Sequence, residues 1–572
     1  MHNVRRALII LLLLVAAVFL WLWLTRPEKV EMAAYVPADS IVYFEADSLP
    51  AIFDGVTSTE AWRGLARASG VESAPAQSGW LNSLISFTGI GPSDAVVLSR
   101  AQVAVTVLGF EAAEESDTTL RFSPRAALVA ETHTSEWRVR AAIEKLAGDF
   151  ARRSFGAASV ERKEIDGVQF VTWVSQSDAR RKVVTAVFES EALLGNDEGV
   201  VRACIDVRRG SRPSLAANEQ LKEMRARLGG ENTLAFGFAP QGSAAKVVEV
   251  FAPAFVGGVS SESKLQSLLA TVLPQLTSQT FGSAGWSARA AGDGIEDRYF
   301  LALPGDLARR LEKPFAPAEY SGDATLVLPS ETYQATFYNL NNPEEAWRGL
   351  GAALSAQVDV SRATFITLAL EALVKPYGVE NPREFLRACG NTIATARLDA
   401  ASGGKVLVAS VRDAAALRTQ ALAHLGRGAR TERVGSTEIL VSTDPERGAA
   451  AFVGDFLVMG SEDDVRRCVQ ARLDSDDPKH GNSLKAATRN FSDAKAFAHT
   501  LTDEREATRS VVSYLARRGS PQTAPNQASL ATALGQYGYG ASETRVVEGG
   551  FEKRTRSAFG LFGEVVKRFS PH

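Results

Sequence analysis

The longest run without a polar break is residues 7–24, ALIILLLLVAAVFLWLWL. A helix needs about 20 apolar residues to cross a bilayer core. These 18 residues suffice, and Trp21 and Trp23 suit the interface at the far end. Arg5 and Arg6 precede the run, and Arg26 and Lys29 follow it. The short tail 1–6 favours an inside N-terminus. A cleaved signal peptide has a shorter apolar core and a small-residue cleavage site. Here the run ends in Trp-Leu-Trp-Leu-Thr-Arg-Pro, and no Cys follows for a lipid. The expectation is a single-pass signal anchor in the inner membrane. The N-terminus would be cytoplasmic and the body periplasmic.

Beyond the run, the apolar pattern repeats itself. Glu-Ala-Trp-Arg-Gly-Leu occurs at Glu60–Leu65 and again at Glu345–Leu350. A Pro-led alternating segment stands upstream of each: VPADSIVYFEADSL from Val36 and LPSETYQATFYNL from Leu328, 292 positions on. Downstream, GIGPSDAVVLSRAQVAVTVL from Gly89 answers GVENPREFLRACGNTIATARL from Gly378, each read as a mixed helical segment. AALVAET from Ala126 answers KVLVASV from Lys405. VFESEALLGNDEGVVRAC answers FVGDFLVMGSEDDVRRC, and ARAAGDGIEDRYF from Ala288 answers TRVVEGGFEKRTR from Thr544, now 256 positions on. Collinear matches of this kind point to tandem duplication.

Each copy reads as strand, helices, paired strands, helix, two strands, two helices, one strand, a long helical hairpin and a closing hairpin. Strands and helices do not alternate regularly. That predicts the α+β class: two homologous halves, each a mainly antiparallel or mixed sheet with helices packed on one face. The boundaries expected are 30–313 and 322–572, joined by PFAPAEYSGD. Thr57 and Glu60 have the spacing of a capping box, and Asn342-Pro343 supplies a second helix start.

Composition adds little. The 572 residues carry a net charge of −3 and are 45% hydrophobic, with neither sign dominating, so nucleic acid is not an expected partner. Cys204, Cys389 and Cys468 have no paired spacing and read as small buried residues.

Pro37-Ala38-Asp39-Ser40 with its strand, the closings Leu193-Leu194-Gly195 and Val458-Met459-Gly460, and the Ser-Leu that follows each resemble a bacterial family of membrane-anchored, extracytoplasmic proteins, a domain-of-unknown-function family. The resemblance implies location and architecture. It brings no catalytic residues.

Candidate chemistry is sparse. GFAPQG at Gly237–Gly242 lacks the Lys-Ser/Thr of a phosphate loop and reads as a turn. Ser243-x-x-Lys246 and Ser261-x-x-Lys264 match a serine-hydrolase spacing, but the companion motifs are missing. No histidine spacing predicts zinc, and the acidic runs lack the calcium-loop pattern. Trp62 and Trp347 read as core anchors of a duplicated helix. The hairpin 247–276 is broadly apolar. Val247, Phe251, Phe255, Leu265, Leu269 and Leu273 form a candidate surface for a hydrophobic ligand or a partner helix, and otherwise a buried helix pair. No catalytic, cofactor or metal site is expected. The leading expectation is a non-enzymatic binding or scaffolding protein of the cell envelope. A carrier of lipid or another hydrophobic ligand stands second, and a serine-type hydrolase third.

Overall fold

The computed structural model describes residues 29–69, 97, 101–116, 119–230, 233–249, 274, 277–357, 360–400, 404–475, 483–518 and 527–569. Among the described residues twenty strands form one sheet, and every pairing is antiparallel. The first ten are β1 (Val42–Ala46), β2 (Gln102–Ser116), β3 (Thr119–Glu131), β4 (Ala158–Ile165), β5 (Val168–Ser175), β6 (Lys182–Phe188), β7 (Glu191–Gly195), β8 (Thr233–Ala239), β9 (Ala284–Ala290) and β10 (Ile295–Ala302). The second ten are β11 (Gln334–Asn339), β12 (Cys389–Arg397), β13 (Val406–Val411), β14 (Arg430–Val434), β15 (Thr437–Val441), β16 (Ala449–Val453), β17 (Phe456–Gly460), β18 (Ala498–Asp503), β19 (Tyr539–Val547) and β20 (Gly550–Ser557).

The pairings place the strands in the order β4-β5-β6-β7-β3-β2-β1-β8-β9-β10-β20-β19-β18-β11-β12-β13-β17-β16-β15-β14. This order reads alike from both ends, with each strand of the first run replaced by the one ten places later. The expectation of two half-sheets is therefore corrected. The closing strands β10 and β20 pair along eight residues, from Ile295↔Ser557 to Ala302↔Gly550, and weld both runs into one sheet. Each has a free edge when its hairpin closes, and an unpaired edge is satisfied by pairing with another.

Positions in the two runs are equivalent where strand rank and register agree. Ser40 donates to the Pro37 carbonyl at 2.6 Å, and the equivalent Thr332 donates to the Pro329 carbonyl at 2.7 Å. Gly195 and Gly460 close β7 and β17.

Helices cover both faces, not one. On one face the short helices Met32–Tyr35 and Leu215–Ala217, with Glu198–Arg208 and Glu219–Leu228, pack over Tyr43, Val129, Phe170, Leu193 and Phe238. Glu462–Asp474 and Asp323–Val327 do the same over Phe337, Val408 and Val458. On the other face Glu136–Phe155 covers Val171, Trp173 and Val183, while Pro382–Ala388 and Ala414–Leu425 cover Leu407 and Leu457. Two helices that follow the closing hairpins have no counterpart in the expected pattern, and both cross the weld. Gly305–Glu312 packs over β19 and β20, and Gly560–Phe569 over β10. The joint 314–322 is packed rather than loose: the Phe315 ring lies 4.8 Å from that of Phe497, and the Ala318 amide bonds Asn339.

Helix starts follow the capping rule. Asn342 accepts from the Glu345 amide, with Pro343 at the first helical position. The helix Glu60–Ala68 is capped by Thr59, two residues beyond the Thr57 expected, because Thr57 ends the preceding helix. The outer edge strands β4 and β14 are mostly exposed and carry Glu161, Arg162, Lys163 and Glu164, and Arg430, Glu432 and Arg433. Charges of this kind blunt sheet edges against further pairing.

Residues 7–24 lie outside the described residues. Among the described residues no helix is long and apolar enough to cross a membrane. The apolar helix Val360–Val374 has 15 residues, about 22 Å at 1.5 Å per residue, short of a bilayer core of about 30 Å. The expected single-pass anchoring, with a periplasmic body, is corrected on that finding and plays no part below.

Candidate functional site

The weld is the place where side chains from both runs converge. Along β10 the residues alternate between faces, so Glu296, Arg298 and Phe300 point one way and Asp297 and Tyr299 the other. The register pairs Arg298 with Arg554, which are equivalent positions. A pseudo-twofold axis therefore passes between them, the geometry of an isologous dimer interface.

On the Asp297 face the sheet supplies Trp286, Tyr299, Lys553 and Ser557. The helices Arg505–Arg518 and Gly560–Phe569 pack against each other there. Asp297 is buried. Its Oδ1 accepts from Trp286 Nε1 at 2.9 Å and its Oδ2 from the Leu561 amide at 3.0 Å. Thus an Asp of the first run caps the last helix of the second. Gly560 sits at φ 56°, and a Cβ there would meet Asp297 Oδ2 at 2.5 Å, so glycine is required for the cap to form. Gly540, in β19, leaves the room that a Cβ would take from the Glu504 carboxyl.

Burial pushes the Asp297 carboxyl up to about 6, against the opposing bonds from Trp286 and Leu561. Burial likewise pushes Glu504 up to about 7. Lys553 moves the other way: burial lowers it although Glu504 and Asp297 attract its proton. Its side chain is nevertheless exposed to solvent, and Glu504 and Tyr299 are half-buried. Lys553, Glu504 and Tyr299 thus keep solvent access above the buried Asp297, an open recess at the weld. Asp297 and Lys553 are themselves equivalent positions, one position become an acid in one run and a base in the other. Groups shifted in opposite directions within an accessible recess mark a candidate site.

Two other polar clusters lie in the first run. A cavity of about 490 Å³ is lined by Lys29, Glu31, Glu45, Asp47, Arg225 and Phe236, among others. Its charges are already paired: Lys29 with Asp47 at 2.9 Å, and Arg225 with Glu31 and Glu45 at 2.8 Å each. Nearby, Glu131 and Glu191 face each other across β3 and β7, both buried. Arg208 bonds Glu191, and Tyr35 Oη reaches Glu131 at 3.4 Å. Burial pushes Glu191 up to about 7, and among the described residues its Oε2 has no hydrogen-bond partner.

Of the expected surface residues, Val247 is half-buried in a helical stretch at 243–249. Phe251, Phe255, Leu265, Leu269 and Leu273 lie outside the described residues. Ser243 is buried four residues beyond the end of β8, and Ser261 and Lys264 lie outside the described residues. Trp62 is a core residue, but of the joint between runs: it packs edge-on to Phe559 at 6.4 Å, and its helix lies against Gln527–Tyr537. Trp347 is only half-buried. The cysteines are free and buried, and burial pushes each thiol up to about 12. Among the described residues no three His, Cys, Asp or Glu side chains converge as metal ligands. The recess was missed in sequence. Its one signal was the pair of closing hairpins, where Asp297 and Lys553 occupy matched places between matched charges.

Comparison with known protein families, with characterised proteins and with solved structures finds no match.

Proposed function

We propose that the chain is a binding protein, a pseudo-dimer made by duplication and fusion, that holds a small polar ligand in the recess at its weld. One observation carries this reading: the equivalent positions Asp297 and Lys553 meet there with opposite charge character, Asp297 buried and Lys553 exposed to solvent. An ammonium and two carboxyls around Trp286 and Tyr299 suit a ligand that bears both an amine and a carboxylate. Binding is favoured over turnover because Asp297 already spends both oxygens on internal bonds, which hold it rather than free it to exchange protons. The charged groups Asp297, Glu504 and Lys553 argue against a lipid at this place.

The test is calorimetric titration of the full chain with each of the common free amino acids. A saturable heat from at least one, lost in Lys553→Met and in Glu504→Gln, supports the reading. No heat above buffer from any of them overturns it.

A further inference from the structure

The opposite face of the same weld carries five arginines on four neighbouring strands: Arg289, Arg298, Arg545, Arg554 and Arg556. Their side chains retain 23–41% exposure. Beneath them lie two carboxylates that are almost wholly buried, Glu296 at 1% and Glu543 at 4%. Glu296 takes Arg289 Nη2 at 2.6 Å, Arg298 Nε at 2.9 Å and Arg556 Nε at 3.2 Å. Burial alone would raise its pKa, but these guanidiniums outweigh it and hold the carboxyl below the usual range. Glu543 takes Arg554 Nη2 at 2.7 Å and the amides of Ser492 and Asp493 at 2.6 Å. Arg554 Nη2 and Arg556 Nη1 also reach Ser492 Oγ, at 2.7 and 3.4 Å. Arg545 bonds Asp493 and Glu552, both at 3.1 Å. The pair Arg545–Glu552 is the equivalent of Arg289–Glu296.

Five guanidiniums thus meet four carboxylates. At the axis two of the five stand directly opposite each other in register, Arg298 against Arg554. Like charges directly opposite on paired strands are destabilising. Among the described residues neither terminal nitrogen of Arg298 has a partner, nor does Nη1 of Arg554. Buried acids fix the two arginines while leaving donors unspent, and a planar guanidinium matches an oxyanion with two parallel bonds.

We propose that this face of the pseudo-twofold axis is a binding site for a doubly charged oxyanion of phosphate type, bridged by Arg298 and Arg554. The site is separate from the recess, and its test does not depend on that reading. The probe is inorganic phosphate, titrated into the full chain against sodium chloride at matched ionic strength, read by thermal melting and calorimetry. Phosphate should raise the melting temperature saturably by several degrees, and chloride should not. Arg298→Gln and Arg554→Gln should each weaken phosphate binding at least tenfold, and to a similar degree, because the axis makes them equal partners. Arg298→Lys, which keeps the charge and loses the fork, should show an intermediate loss and serves if the glutamine variant does not fold. Arg418→Gln, a surface change remote from the axis, should leave binding intact. Equal shifts with phosphate and chloride would overturn the proposal, as would unweakened binding in the Arg298 and Arg554 variants.

Discussion

In the first run Glu131 faces Glu191 across β3 and β7, while in the second Ser410 faces Phe456 across β13 and β17. Glu45 beside Arg225 in the first run becomes Phe337 in the second, a fully buried ring. Strand order and register are the same in both, so the second run is an internal control for the first. It shows that this framework closes with uncharged residues at those places. The buried charges of the first run are therefore not demanded by the fold, and burying charge is costly unless every member is satisfied. Where the runs meet, the equivalences behave differently. Arg289–Glu296 and Arg545–Glu552 are kept as matching pairs, and Asp297 and Lys553 have diverged to opposite charge. What is shared builds the sheet; what differs marks the weld and the first run.

The largest effect tests the joint. Trp62 is buried between runs and its equivalent Trp347 is half-buried. Trp62→Ala should cost about 3–5 kcal/mol in chemical denaturation, as large core truncations do. Trp347→Ala should cost clearly less. Equal losses would mean that the two helices are anchored alike, and the contrast between the runs would fail at this point.

Next comes the buried acid pair. Arg208→Met takes away the guanidinium that holds Glu191 opposite Glu131, and should destabilise by about 3–5 kcal/mol at pH 7.5. The double change Glu131→Ser with Glu191→Phe, which copies the second run, should be neutral or stabilising even with Arg208 replaced. A strong loss in that triple variant would show that the first run is shaped around its charges.

These comparisons rest on a repeat that was legible and a weld that was not. The matched segments at Val36 and Leu328, at Ala126 and Lys405, and at Ala288 and Thr544 fall on strands of equal rank, because alternation and turn residues are local signals. The pairing of β10 with β20 joins residues about 256 positions apart, and no periodicity records it. The charges on those strands are equally silent: nothing local to Glu296, Arg298, Arg554 and Arg556 shows that Glu296 is buried among three arginines. The four strands β4 to β7 were read as two, since the polar β4 looks like loop until its register with β5 is seen. Helices on both faces, and the helix after each closing hairpin, were likewise missed, since short amphipathic segments do not reveal which face they will cover.

Acidity separates the diverged recess from the rest. Glu504 and Asp297 have folded pKa values of about 7 and about 6, above their unfolded values. Their stabilising contribution is present below about pH 4 and lost as pH rises through 6 and 7. Stability should fall between pH 5 and pH 8. Glu504→Gln should flatten that fall and gain up to about 3 kcal/mol at pH 8, since one pKa unit is about 1.4 kcal/mol. An unchanged slope in this variant, read by denaturant midpoints across pH, would place the titrating group elsewhere.

The smallest effect tests the part that did not diverge. Ser40 and Thr332 each close the same turn by donating to a proline carbonyl three residues back, and both are buried. Removing such a donor leaves the carbonyl short of a bond and costs about 1 kcal/mol. Thr332→Val should lose about that much. Ser40→Ala should lose slightly more, because its Oγ also accepts from Thr106 at 2.7 Å. The two values should agree within about 0.5 kcal/mol, the spread of a single hydrogen bond's net contribution. A gap larger than that would mean that even the matched turns are held by different surroundings. The equivalence of the runs would then be one of backbone register alone.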